Sequence, residues 1–173
     1  MIPPNLVNQE MTMFANREVE LFWEYIIGSV ERIIACLDGL GEGDLNWRPL
    51  ENANSLYVLA THTMGNVEKN LLDALCGQPI ERQREAEFVA HGSSVEPIRQ
   101  RWRELQERVS VRLAPLSSDD LDREREHPHR GQITGREVLI VVARHAAEHA
   151  GQAELTRDFL FVARGKTPPP REY

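Results

Sequence analysis

The stretch TGREVLIVVARHAAEHAGQAELTRDFLFVARG, Thr134 to Gly165, reads as one long helix and sets the frame for the rest of the chain. Thr134 with Glu137 forms a capping-box pattern that satisfies orphan N–H groups at the start, and Gly165 supplies a left-handed stop. Apolar residues recur at Val138, Val142, Ala146, Ala150, Ala153, Phe159 and Leu160, widened by Leu139, Val141 and Leu155. On the same side of this helix His145 and His149 replace aliphatics one turn apart. At about 100° per residue their Cβ atoms come within roughly 6 Å, so two imidazoles can reach one metal ion. Ala146, Ala147, Ala150 and Gly151 leave room beside them for a neighbouring helix or a ligand.

Working outward, three more segments carry the three-and-four spacing of amphipathic helices. The first runs from an Asn16 cap to Leu37, with Val19, Phe22, Trp23, Ile26, Ile27, Val30, Ile33, Ile34 and Leu37 as its stripe, and Gly39 and Gly41 end it. The second follows a cap at Asn54 or Ser55. Its stripe is Leu56, Leu59, Ala60, Val67, Leu71, Leu72 and Leu75, its terminator is Gly77, and it carries His62. The third is capped by Ser93 or Ser94 and runs to about Leu113 through Ile98, Trp102, Leu105 and Val109, with Pro97 tolerated in its first turn.

The connections are Gly41 to Asn54, where Pro49 bars helix at Arg48 and Trp47 plugs one end of the core, and two longer crossovers. Gln78 to Gly92 reads as a loop with a short strand or turn at Glu87 to Ala90. Pro115 to Ile133 opens with a helical turn at SSDDLD, capped by Ser117 or Ser118, and continues into HPHRGQI. His127 and His129, two apart on an extended segment, are a second and weaker metal candidate, assigned to the loop surface. No β-rich tract or internal repeat is found. The fold class is all-α: four long helices in a bundle, as one domain over residues 1–173, with an N-terminal arm at 1–15 and an extended proline-rich tail at 166–173. Alternating helix direction is the simplest arrangement.

Composition limits the function. Of 173 residues 41% are hydrophobic, enough for a core, and the formal charge of -7 argues against a phosphate backbone as main partner. The arginines are interleaved with acids, which makes solvated faces. No apolar run approaches a bilayer span and the first residues lack a signal-peptide pattern, so no membrane partner and a cytoplasmic location are expected. Cys36 and Cys76 each lie in an apolar helical stretch, as reduced buried thiols would.

The histidine pair alone is equally compatible with packed core histidines, but His62 sits among apolar positions of another helix in the same way. Three imidazoles from two helices would make an open N₃ site. Asn66, one turn after His62, and Gln152, near His149, are candidates to orient a ligand or to steady the histidines. Glu148 is rotated about 100° from His149 and faces outward, so no partner base is evident.

The order LNWRP, SLYVLATHTMGNVE and REVLIVVARHAAEHAGQ resembles the DinB-like superfamily over nearly the whole chain, a group that takes in YfiT-type metal-dependent hydrolases and thiol-dependent transferases. The resemblance is carried by His62, by His145 and His149, and by Trp47 and Pro49. It implies an up-down-down-up four-helix bundle, often a homodimer, with a divalent ion on the three histidines; by donor chemistry that ion is zinc or nickel first, iron or manganese next. It also implies that such an ion serves, in some members, to activate a low-molecular-weight thiol. The reaction expected is hydrolysis or S-transfer to a small electrophile, with a non-catalytic metal- or ligand-binding bundle as the alternative.

Overall fold

A computed structural model describes residues 13–127 and 130–170. Most of the expected N-terminal arm, and His129, lie outside the described residues. The chain is mostly helical. Its long helices are α1 (Arg17–Ala35), α3 (Leu56–Val67) with a π-helical continuation (Glu68–Leu75), α5 (Glu96–Leu113) and α7 (Gly135–Ala163). Short helices α2 (Glu42–Leu45), α4 (Arg84–Phe88) and α6 (Ser118–Asp122) punctuate the connections.

The helix boundaries follow local chemistry. Asn16 caps α1 by accepting from the Glu18 amide at 2.8 Å, Ser55 caps α3, and Ser117 with Asp120 forms a capping box on α6. Thr134 and Glu137 form the box on α7, and Gly165, at φ +68°, takes the left-handed stop. The serine cap expected for α5 is absent: the helix starts at Glu96 after Val95, with Pro97 in its first turn where no N–H is missed.

Ion pairs and hydrogen bonds fix the helix directions. Arg136 pairs with Glu18 and Arg32 with Glu154, so α1 and α7 run the same way. Trp23 donates to Ser110 and Arg99 pairs with Asp38, which makes α5 antiparallel to α1. His62 meets His145 while Leu75 packs at Gly135, so α3 runs against α7. Strict alternation therefore fails for α1 and α7, whose like direction is made possible by the long connections between them.

One connected core fills the space between these helices, with Trp23 and Trp102 at its centre, ring centroids 6.0 Å apart. Helix α3 is not a surface amphipath. Tyr57, Val58 and Met64 are buried along with the expected stripe, so apolar contact surrounds it on nearly every side. Cys36 is buried and Cys76 half-buried, both free thiols, and burial pushes each up to about 11. Trp47 packs half-buried against the core.

Two connections differ from the sequence reading. Glu87 to Ala90 is neither strand nor turn alone, because Arg84–Phe88 closes a helical turn. Residues 124–127 and 131–134 pair as two antiparallel strands, β1 (Glu124–His127) with β2 (Gly131–Thr134), where no strand was expected. Their polar composition hides them: only His127 and Ile133 are buried, too few positions to register as alternation. Among the described residues no helix is long and apolar enough to cross a membrane.

Candidate metal centre

Helices α3 and α7 bring His62, His145 and His149 together, with one ring nitrogen of each lying within 4.8 Å of the others. Nε2 of His62 stands 3.2 Å from Nε2 of His145, although the residues are 83 positions apart. Ring centroids are 5.1 Å apart for His62 and His145, 5.3 Å for His62 and His149, and 4.4 Å for His145 and His149. His62 is buried and the α7 histidines are half-buried.

Each outer ring nitrogen determines what the inner one can offer. Nδ1 of His62 donates to Glu87 Oε2 at 2.9 Å, so its Nε2 carries the lone pair. Nδ1 of His149 donates to the Gln152 side-chain oxygen at 3.0 Å, with the same consequence. His145 Nδ1 is buried without a hydrogen-bond partner among the described residues. Two nitrogens bound to one ion at 2.0–2.1 Å stand about 3.0–3.4 Å apart, and the 3.2 Å between His62 and His145 falls inside that interval. The three residues thus fit a divalent ion by spacing and by donor type.

The electrostatics keep the two α7 rings neutral and able to donate lone pairs. Burial, then the neighbouring His149 and His62, push His145 down to about 3. Burial also lowers His149, against the upward pull of its hydrogen bond to Gln152. Burial acts to raise Glu87, but hydrogen bonds from His62 and Arg82 outweigh it and hold the carboxylate below its ordinary range.

Glu87 and Arg82 escaped the sequence reading. Arg82 binds both oxygens of Glu87, from Nε at 2.7 Å and from Nη2 at 2.7 Å. Phe88 packs its ring 4.7 Å from that of His62. Gly65, one turn past His62, makes room for this: a methyl group there would overlap the Glu87 carboxylate. Glutamates and arginines abound in this chain, so composition gives no hint of the pair. The available signal is Phe88, an aromatic residue inside a largely polar connection.

The LNWRP segment acts on the same connection. Asn46 exchanges two hydrogen bonds with Gly92, and Arg48 donates to the carbonyls of Ala53 and Phe88, both at 3.0 Å. These contacts clamp the backbone that presents Glu87 to His62. Pro49 keeps Arg48 out of helix and so available for them.

Other sequence candidates fall as follows. Asn66 lines a cavity beside the histidines, with its side-chain oxygen buried and unpartnered. Gln152 steadies His149. His127 is buried rather than on the loop surface, its Nε2 hydrogen-bonded to Asn70 Oδ1 at 3.1 Å, because strand pairing turns it inward against the π-helical segment. It lines the same cavity without joining the three-histidine cluster. His91 is exposed beside Glu42, and Glu148 faces solvent with Arg144.

With this geometry established, comparison with known proteins identifies the class. The chain belongs to the DinB superfamily, whose sequence model matches residues 28–153. In fold it is similar to a conserved protein from Enterococcus faecalis (17% identity, TM-score 0.67, covering 82% of this chain and 96% of that one). It is also similar to a DinB-like protein from Bacillus cereus (19% identity, TM-score 0.66, 88% and 97%). No curated protein matches the chain.

Proposed function

We propose that this protein is a metal-dependent enzyme of hydrolase or S-transferase type, acting on a small electrophile from a site held by His62, His145 and His149. The observation that carries the reading is the pair of Nε2 atoms facing each other at 3.2 Å, with the far side of His62 already committed to Glu87. A divalent ion there, zinc or nickel before iron or manganese, would supply Lewis acidity that lowers the pKa of water or of a low-molecular-weight thiol. The residues do the rest. Glu87 and Gln152 fix two rings in the tautomer that turns a lone pair inward, burial keeps His145 unprotonated at neutral pH, and Asn66 offers an amide beside the site for a ligand.

The pairwise helix directions support reading the domain as an up-down-down-up four-helix bundle. Leu21 and Tyr25 on α1, and Ile140, Leu155 and Phe159 on α7, are each about half exposed, which supports a homodimer formed through these neighbouring helices. The reading takes the protein to be cytoplasmic, where its thiols stay reduced.

One observation favours a second reading, a non-catalytic metal- or ligand-binding dimer. Both oxygens of Glu87 are engaged by His62 and Arg82, so the carboxylate nearest the histidines is not free to accept a proton.

The deciding measurement is metal analysis of purified protein. About one ion per chain is expected for a single three-ligand site, and His149→Ala should lose it while keeping its helical circular dichroism. Unchanged metal content in that variant would remove His149 from the site.

A further inference from the structure

The cavity beside the histidines has a volume of about 530 Å³, within the range of small-molecule sites. His62 and His145 stand at one part of its wall. Elsewhere the wall carries Lys69, Arg82, Arg84, Arg130 and Arg144, against only Asp73 and Glu126 among the described residues. This local excess of positive charge opposes the formal charge of the whole chain, -7.

Two of the five cations are already committed. Lys69 binds Asp73 and the Ile80 carbonyl, and Arg82 is held by Glu87. The other three are not. Arg84 touches only the highly exposed Glu85 and the Phe88 ring, Arg144 meets Glu148 at 3.5 Å in solvent, and Arg130 has no ion pair among the described residues. Exposed contacts of this kind are weak enough to be exchanged for a ligand. The three guanidinium groups come from three separate places: α4, the residue just before β2, and α7. No local helix-surface pairing explains their convergence on one cavity.

We infer that this cavity takes a small carboxylate-bearing ligand, gripped by Arg84, Arg130 and Arg144, with its reacting end toward His62 and His145. A guanidinium fork matches a carboxylate in shape and hydrogen-bond direction, and a cleft strengthens the attraction relative to open surface. The orientation of the ligand rests on the proposed role of the histidines; the grip on its anionic end stands on the arginines alone.

Calorimetric titration of the purified protein with succinate, and with its neutral diamide succinamide, tests the grip. Succinate should bind at least about tenfold more tightly at low ionic strength, and about 0.5 M salt should close most of the gap. Joint replacement Arg130→Gln with Arg144→Gln, and separately Arg84→Gln, should each weaken succinate several-fold or more while helical content stays the same. His149→Ala should retain succinate binding. Absence of succinate binding up to about 10 mM, equal affinity for succinamide, or indifference to the arginine variants would overturn the inference. Succinate binding by a His149→Ala protein that also keeps its metal would instead sink the histidine reading and leave the anion site standing.

Discussion

With its Nδ1 hydrogen given to Glu87, His62 can present only Nε2 to the other two rings, so a single carboxylate decides how well this imidazole serves as a ligand. Glu87→Gln should lower the affinity for the metal by about 10–100-fold, measured by competition with a chelator, with the fold intact. Gly65→Ala should act in the same direction, because the added methyl group would overlap the carboxylate and crowd Arg82 beside it. The neutrality of His145 carries a pH signature. In the folded protein its pKa is about 3 against an ordinary 6.5, so between these values the unfolded chain binds more protons. Stability of the metal-free protein should therefore be fully present above pH 6.5 and decline as pH falls toward 3. Urea unfolding across that range should show the decline, and His145→Gln should flatten it.

At the scale of elements, α7 was the most readable part of the chain, because its beginning and end are both written in side chains. Thr134→Ala removes an acceptor from the first turn and should cost about 1 kcal/mol in urea unfolding, with little effect on metal binding. The α1 boundary, the α6 turn and the spacing of His145 and His149 were legible for the same reason: the determinants lie within four residues. What was not legible depends on distant partners. The α4 turn exists because Arg48 and Asn46 hold its flanks from some forty residues away. The β1–β2 pairing shows too little alternation to be read, and the burial of His127 depends on its distant partner Asn70. The π-helical stretch after Val67 keeps Leu71, Leu72 and Leu75 buried, so its wider turn leaves no trace in the apolar pattern.

For the whole molecule, directions read from ion pairs matter more than helix count, since four amphipathic segments are compatible with several connection schemes. The half-exposed apolar residues on α1 and α7 give the proposed dimer a test: Phe159→Glu should shift the protein from dimer to monomer in sedimentation at micromolar concentration, without loss of metal. The surroundings of Cys36, buried, and Cys76, half-buried, bear on the chemistry in a different way. Desolvation pushes both thiols up to about 11, so at neutral pH very little of either is in the thiolate form that attacks soft carbon or sulfur centres. An enzyme of the proposed kind would be exposed to its own electrophilic substrates, and sulfur carried as the protonated thiol resists self-alkylation.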